Sequence, residues 1–275
     1  MTVQKIASFT SEGAGGNPAG VMIADTLPPA DEMQRIAAEV GFSETAFAAP
    51  QDDGFRVRYF APEAEVPFCG HATIALGAAL GAAYGAGSYA LTLNEAQISV
   101  IAYAEDGIWG AKLTSPQTSY EAVPADMLPQ FLDLFGWSPR DLDPQIPAAL
   151  ANGGAQHLVL PVARGALLRE MVYDFDTGAA LMQEHSLVTV NVIWRERTDV
   201  IHARNAFAGH GVYEDPATGA AAAALAGYLR DSGVHDAPFA VIQGVDMGAP
   251  SRLQVAALPG QGASVEVAGL TRVMT

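Results

Sequence analysis

Two stretches of small apolar residues, about half a chain apart, constrain the fold more than any other feature. The first is a predicted helix at about 70–84 that follows Phe68-Cys69, and the second is a predicted helix at about 216–231. Both carry polar residues only at their starts. A helix that is apolar on nearly all sides has to be enclosed by other elements. Its first turn still presents N–H groups and the positive end of the helix dipole, which together can hold an anion.

The segments around these helices predict two similar halves. In each half short strands precede and follow the helix, so we expect a mixed α/β (α+β) architecture in which a sheet curls around one central helix. The polar segment Thr114–Ser119 is the predicted linker. The first half would then cover residues 1–115, completed by a C-terminal strand at 263–275, and the second half residues 116–262. In this comparison Cys69 is aligned with Pro216.

Charge and composition exclude several classes of protein. Thirty acidic residues against fourteen basic ones give a formal net charge of −16, and no basic stripe is present, so nucleic acid is not expected as a partner. The N-terminus carries no signal-like apolar run, and the longest apolar stretches, about a dozen residues, are too short to span a bilayer. We therefore predict a cytoplasmic protein without a membrane partner. Its single cysteine excludes an internal disulfide.

The sequence also argues against a cofactor. The two lysines, Lys5 and Lys112, lie beside no candidate motif, although a pyridoxal cofactor needs a lysine for its Schiff base. The segment Gly13–Pro18 matches a dinucleotide fingerprint at only two positions, and no helix follows it. The histidines are scattered without a metal-ligand spacing. We predict no cofactor and no metal, with chemistry done by side chains alone.

Three residues are candidates for that chemistry, and each has a structural alternative. Glu44 lies between small polar residues and two aromatics, where a carboxyl group can exchange a proton near neutral pH, but it could equally end the preceding helix. His71 could be a core histidine with satisfied hydrogen bonds, and Asp215 could be a helix N-cap. The positions of His71 and Asp215 at matching helix starts favour function, and Asn17, early in the first half, adds slightly to that.

Five segments together match the pattern of one known family. They read Gly16-Asn17-Pro18-Ala19-Gly20-Val21, Phe42-Ser43-Glu44-Thr45-Ala46-Phe47, Cys69-Gly70-His71-Ala72-Thr73, Gly211–Gly219 with Glu214-Asp215-Pro216-Ala217-Thr218-Gly219 at its end, and Gln243–Arg252. They occur in family order along nearly the whole chain. The sequence thereby resembles the PhzF family of phenazine-biosynthesis-like proteins.

The resemblance implies a diaminopimelate-epimerase-like fold, with two similar α/β halves and a site in the cleft between them. It implies a cofactor-independent isomerase, commonly a homodimer, that moves a proton between carbons of a small cyclic or amino-acid-like carboxylic acid. Glu44 would be the general acid and base, and His71 and Asp215 would orient the substrate or assist the transfer. The remaining residues carried over as substrate-binding are Asn17, Gly70, Ala72, Thr218, Gly219 and Ala220.

Two departures from the pattern leave alternatives open. Epimerases of this fold use one thiol from each half, whereas Cys69 is aligned with Pro216, so two-thiol epimerisation is excluded and packing is the expected role of Cys69. Ala220 stands where the family often has serine, which removes a hydroxyl that could contact substrate. A small-molecule binding or regulatory protein without chemistry remains an alternative. A one-base racemase or a hydratase-type lyase that uses the same glutamate is another.

Overall fold

The computed structural model describes residues 2–274, and Met1 and Thr275 lie outside that range. The described chain forms two compact units, unit 1 with residues 2–114 and 268–274 and unit 2 with residues 115–267. Ser115 and residues 263–267, predicted in the first half, belong to unit 2. The reason is local pairing, because Ser115 N donates to Val265 O at 2.8 Å and Val265 N donates to Ser115 Oγ at 3.0 Å. No helix among the described residues is long and apolar enough to cross a membrane.

Unit 1 begins with eight strands and two helices. These are β1 (Gln4–Ser8), β2 (Asn17–Ile23), α1 (Ala30–Val40), β3 (Thr45–Gln51), β4 (Gly54–Phe60), β5 (Glu65–Val66), α2 (Gly70–Tyr84), β6 (Gly87–Thr92), β7 (Gln97–Glu105) and β8 (Ile108–Thr114). The loop after β1 is short, since β2 already begins at Asn17. Residues 17–20 pair with β1 and leave no freedom for a loop.

Unit 2 contains eight strands and four helices, followed by a strand that starts in unit 2 and ends in unit 1. These are β9 (Ser119–Ala122), α3 (Met127–Phe135), β10 (Ala149–Asn152), β11 (Gln156–Pro161), α4 (Gly165–Arg169), α5 (Phe175–Glu184), β12 (Thr189–Arg197), β13 (Val200–Ala206), β14 (Glu214–Asp215), α6 (Gly219–Asp231), β15 (Phe239–Gln243), β16 (Ser251–Ala257) and β17 (Val265–Val273). The helix predicted at about 216–231 thus begins at Gly219.

The strands of unit 1 close into a ring. Strand β2 pairs with β1 and, in parallel, with β3; β3 pairs with β4, which pairs in parallel with β6; β7 and β8 follow as antiparallel neighbours. The part of β17 in unit 1 pairs with β1 and with β8. Thr271 Oγ1 donates to Trp109 O at 2.8 Å across the second of these pairings. Closure leaves no free edge between β1 and β8.

Helix α2 lies inside this ring. It contacts β1, β2, β3, β6, β7 and β8, and every residue from His71 to Gly81 is buried. The helix packs closely against the sheet, because a Cβ on Gly77 would lie 2.6 Å from Val100 Cγ2 and 2.8 Å from Ala111 Cβ. Small residues are therefore required along its length, which explains the composition of the stretch.

Unit 2 repeats this topology. Strands β11 and β12 are parallel neighbours joined through helices, as β2 and β3 are, and β13 pairs in parallel with β15, as β4 does with β6. Helix α6 is buried from Ala221 to Leu229 and contacts β9, β10, β11 and β16. A second apolar core, built around Phe131, Leu160 and Met182, lies under α3, α4 and α5. The predicted fold class, two similar halves that each curl a mixed sheet around a central apolar helix, is confirmed.

The repeat corrects the predicted alignment of the two halves. A two-residue strand precedes each central helix, Glu65–Val66 before α2 and Glu214–Asp215 before α6. Glu65-Val66-Pro67-Phe68-Cys69-Gly70 therefore matches Glu214-Asp215-Pro216-Ala217-Thr218-Gly219 residue by residue. The N-caps are Cys69 and Thr218, so Cys69 corresponds to Thr218 and its alignment with Pro216 was wrong. The helix does not begin at the proline, because its N-cap is Thr218, whose backbone is extended (φ −108°, ψ 90°).

Candidate active site

Glu44 lies outside the helix that precedes it. Helix α1 ends at Val40, and Gly41 closes it in the left-handed conformation (φ 71°), which glycine adopts without strain. Glu44 comes directly before β3, and its backbone oxygen accepts a hydrogen bond from Gly20 N at 3.1 Å. The alternative that Glu44 ends the helix is therefore wrong. Glu44 thus lies next to the first residue pair of the parallel strands β2 and β3, and its side chain is 22% exposed.

The start of α2 is fixed by hydrogen bonds that leave its first turn accessible. Cys69, the N-cap, is extended and makes no side-chain capping bond, while Cys69 O accepts from both Thr73 N (3.0 Å) and Thr73 Oγ1 (2.7 Å). Ser8 Oγ donates to His71 O at 2.7 Å. A Cβ on Gly70 would touch only the Phe68 ring, at 3.9 Å, so the backbone there is open to a ligand.

Two of the predicted motifs, the one around Glu44 and the one around Cys69, meet at the imidazole of His71. Its Nε2 lies 3.4 Å from Glu44 Oε2 and 3.4 Å from Ser43 Oγ, and its Nδ1 lies 3.3 Å from Cys69 Sγ. Among residues 2–274, no hydrogen bond reaches Glu44 Oε2, although that atom is buried. His71 is thus more than a core histidine, because its ring contacts a carboxylate and a thiol. Cys69, expected to serve packing, belongs to the same cluster.

Two further residues of unit 1 support this cluster. Asn17, 3% exposed, is the first residue of β2 and pairs in register with Ser8, the residue that holds His71 O. Tyr59 is fully buried and shares a hydrogen bond of 2.7 Å with Thr73 Oγ1. Burial raises the pKa of Tyr59, so its phenol stays neutral at the base of the first turn.

In unit 2 the candidate residues form a closed hydrogen-bonded ring with a residue that sequence analysis missed. Gln243 is 1% exposed, and its Nε2 donates to Asp215 O (2.7 Å) and to Thr218 Oγ1 (3.0 Å). Its Oε1 accepts from Thr218 N at 3.2 Å, and Thr218 Oγ1 bonds Asp215 Oδ2 at 2.6 Å. Asp215 is not the N-cap, because Thr218 occupies that position.

The ring fixes the direction of every bond. Because Thr218 N must donate, the atom of Gln243 that it meets is the carbonyl oxygen, and the amide nitrogen therefore faces Thr218 Oγ1. The hydroxyl accepts from that nitrogen and donates its own proton to Asp215 Oδ2. The N–H and hydroxyl of Thr218, predicted to bind substrate, are thus both used within unit 2. Gly219 and Ala220, in the half-buried first turn of α6, remain candidates for substrate contact.

The residue before Asp215 makes an ion pair that is also present in unit 1. Glu214 accepts two bonds from Arg204, from Nε at 3.0 Å and Nη2 at 2.6 Å. In unit 1 Glu65 accepts two bonds from Arg58, at 2.7 and 2.6 Å. Both glutamates lie in the two-residue strand before a central helix, so each ion pair fixes the segment that leads into that helix. In the sequence these ion pairs are indicated only by the Glu-x-Pro-x-x-Gly pattern, which occurs once in each unit.

Comparisons with known proteins agree with this fold and these motifs. The model of the phenazine biosynthesis-like (PhzC-PhzF) family matches residues 6–274. An uncharacterised isomerase of Deinococcus radiodurans is 32% identical over 261 residues, which cover 91% of this chain and 85% of that protein. The trans-2,3-dihydro-3-hydroxyanthranilate isomerase of Pseudomonas fluorescens is 32% identical, with 90% of this chain and 86% of that protein covered.

Solved structures show the same fold. The PhzF-family phenazine biosynthesis protein of Bacillus anthracis has a TM-score of 0.87 at 24% identity and covers 99% of this chain and 96% of its own. A protein of Agrobacterium radiobacter described as a probable proline racemase has a TM-score of 0.62 at 13% identity, with 99% and 90% of the two chains covered. The predicted diaminopimelate-epimerase-like fold and the predicted family are confirmed. The chain belongs to the phenazine biosynthesis-like (PhzC-PhzF) family of isomerases.

Proposed function

We propose that this chain is a cofactor-independent isomerase that moves a proton between two carbons of a small carboxylic acid, with Glu44 as the general acid and base. The observation that carries the proposal is the environment of Glu44 Oε2, which is buried and receives no hydrogen bond from the described residues. An oxygen that accepts no hydrogen bond keeps a lone pair for a carbon-bound proton, while His71 Nε2 lies within ion-pair distance of it at 3.4 Å.

His71 supports the transfer in this proposal. Its Nε2 lies 3.4 Å from the Glu44 carboxylate, close enough to orient that group and to stabilise negative charge on it or on the substrate. The backbone oxygen of His71 accepts the bond from Ser8 Oγ, and its ring contacts Cys69 Sγ. We therefore propose that Glu44 removes and returns the proton and that His71 positions the reacting groups.

The substrate carboxylate is proposed to bind at the start of a central helix. The backbone at Gly70 and Ala72 in α2, and at Gly219 and Ala220 in α6, offers N–H donors and the positive end of a dipole. Such donors are needed because the net charge of −16 repels an acid at long range. Asp215, held by Thr218 and Gln243, would orient a hydroxyl or amino group of the substrate.

The substrate class follows from these donors and from the relatives. The Pseudomonas fluorescens relative is named for its action on trans-2,3-dihydro-3-hydroxyanthranilate, a cyclic amino acid. We propose a cyclic or amino-acid-like carboxylic acid for this chain as well. Ala220 has no hydroxyl, so we do not expect the substrate to be that compound itself.

Hydrogen exchange followed by NMR tests the proposal directly. Wild type, Glu44→Gln and Glu39→Gln are incubated in heavy water with a panel of small cyclic and amino-acid-like carboxylates. Glu39 is the matched control, an exposed carboxylate paired with Arg35 on α1. Deuterium should enter a carbon position with wild type and Glu39→Gln and not with Glu44→Gln. Full exchange with Glu44→Gln would eliminate Glu44 as the base.

The same incubations, followed also by thermal melts, polarimetry and labelling with 18O-water, separate the two alternatives. A ligand that protects the protein against heat without acquiring deuterium would indicate a binding or regulatory protein that lacks chemistry. Deuterium at a single stereocentre with loss of optical activity would indicate a one-base racemase, and incorporation of water oxygen would indicate a lyase. A double bond that moves within the substrate, with deuterium at the new carbon, would match the proposed isomerase.

A further inference from the structure

Three side chains of different metal-ligand types converge in unit 1. One ligand atom each from Glu44, Cys69 and His71 lies within 4.8 Å of the other two. The thiol is 8% exposed and the imidazole 9%, so water competes weakly for either group. Carboxylate, thiolate and imidazole form a donor set that selects Zn²⁺ or a similar borderline cation over Mg²⁺ or Ca²⁺, which prefer oxygen ligands.

The two separations from His71 Nε2 are close to those around a tetrahedral ion, and the third, between Glu44 and Cys69, is within 4.8 Å. Typical Zn–N, Zn–O and Zn–S bonds place tetrahedral N and O ligands about 3.4 Å apart and N and S ligands about 3.6 Å apart. His71 Nε2 lies 3.4 Å from Glu44 Oε2 and 3.9 Å from Cys69 Sγ. The first distance agrees, and a small side-chain rotation of Cys69 closes the second. The ring can use only one nitrogen, and although Nδ1 is the closer of the two to the thiol (3.3 Å), Nε2 is the nitrogen for which distances to both other ligands are short.

The buried oxygen of Glu44 is the independent observation. A buried carboxylate oxygen without a hydrogen bond is costly, and a cation removes that cost by direct coordination. The thiol loses its proton to solvent when a cation binds, because the coordinated form is the thiolate. Three protein ligands leave one tetrahedral position for water or for a substrate carboxylate.

We propose that Glu44, His71 and Cys69 form a three-ligand site for Zn²⁺, and that its occupancy stops catalysis. The proposal that these three residues bind Zn²⁺ rests on the geometry alone. The inhibitory part rests on the proposed function, since the ion takes up the lone pair of the general base and the nitrogen of His71. Removal of the ion restores the base, so the inhibition is reversible by a chelator.

Cobalt(II) titration of the chelator-treated, reduced protein tests binding without any assay of activity. Tetrahedral Co²⁺ on a thiolate gives a sulfur-to-metal charge-transfer band in the near ultraviolet, and Cys69 is the single cysteine, so the band reports on this residue alone. We expect the band to saturate at one equivalent, to disappear when Zn²⁺ is added, and to persist with excess Mg²⁺. Absence of the band with folded wild type would overturn the site.

Variants then test the other two ligands. His71→Asn and Glu44→Gln should weaken Co²⁺ binding by about tenfold or more, because each removes one of three protein ligands. His202→Gln is the matched control, since His202 lies 3.0 Å from Glu196 Oε2 on the surface of unit 2 without a nearby thiol. Circular dichroism checks that each variant is folded. Equal affinity in wild type and both ligand variants would overturn the three-ligand assignment.

The inhibitory part has its own readout. Zn²⁺ should abolish the deuterium exchange catalysed by wild type, with the same concentration dependence as displacement of Co²⁺, and a chelator should restore it. Exchange that continues at saturating Zn²⁺ would refute inhibition while the spectroscopic result stands. Absence of exchange without metal would instead contradict the proposed function, so the two failures are distinguishable.

Discussion

Replacing Arg204 with methionine should destabilise the protein several times more than the same replacement at Arg58. Both arginines make a two-bond ion pair with a glutamate before a central helix. The side chains of Arg204 and Glu214 are 9% and 3% exposed, whereas those of Arg58 and Glu65 are 23% and 27% exposed. The repeat therefore provides one interaction in two solvent environments within a single chain.

The magnitude follows from what each substitution leaves behind. Arg204→Met leaves the Glu214 carboxylate buried without a cation, and such a loss costs about 3–5 kcal/mol of unfolding free energy. It also removes the donor to three backbone oxygens, those of Leu168 (3.2 Å), Arg169 (3.2 Å) and Met171 (3.0 Å). Arg58→Met leaves a carboxylate that water reaches, so about 1 kcal/mol is expected.

Urea unfolding at neutral pH, followed by fluorescence and circular dichroism, measures both losses. The double variant Arg204→Met/Glu214→Leu separates a missing attraction from an uncompensated charge. If the buried charge causes the loss, the double variant should be more stable than Arg204→Met alone, because apolar replacement of a whole buried pair is often neutral. Equal losses at Arg204 and Arg58, or a double variant below the single one, would refute this reasoning.

Three other predictions concern unit 2. Burial lowers the pKa of His157 from the ordinary value of 6.5 to about 3. Between these two pH values the unfolded chain binds more protons than the folded protein. The free energy of unfolding should therefore fall by about 1.4 kcal/mol for each unit by which the pH drops through this range. His157→Gln should flatten this slope in urea titrations at pH 7 and pH 4, and an unchanged slope would contradict the assignment. Gln243→Leu removes one bond to Asp215 and two to Thr218, the residue that bonds the Asp215 carboxylate, so kcat should fall by about tenfold to a hundredfold with the fold intact. An unchanged kcat would show that the ring is only structural. Gly244→Ala should lower the free energy of unfolding by about 1–3 kcal/mol more than Gly233→Ala does in the same titrations. Both glycines have φ near 70°, but only at Gly244 would a Cβ meet backbone oxygens. Equal losses at the two positions would show that φ alone matters.

Much of the fold follows from local patterns. The predicted bounds of the first central helix agree with α2, because an apolar run with glycine at its C-terminal end leaves little ambiguity. Strand β3 is not predicted, since Thr45–Gln51 is rich in small residues and contains Pro50. Only its pairing with β2 and β4 makes that segment a strand, and pairing is not a local property.

The sequence predicts which motifs form the site, but it does not predict which side chains contact one another. The sequence identifies Glu44 and His71, yet nothing local places Glu44 beside His71 and Cys69 or Gln243 beside Asp215. These contacts depend on strand register and on where the chain enters a helix. The predicted alignment of Cys69 with Pro216 is wrong for this reason, because the helix begins only after its N-cap, Thr218. The predicted homodimer and cytoplasmic location stay predictions.

The position of β17 determines the order in which the protein can mature during synthesis. A nascent chain that has reached residue 114 already contains Glu44, His71 and all of α2, yet the strand that joins β1 to β8 has not been translated. Until residues 268–273 emerge from the ribosome, those two edges expose unpaired backbone groups that chaperones or other chains can bind. A stop codon anywhere in the second half would thus open the unit that contains Glu44, however far along the chain the lesion lies.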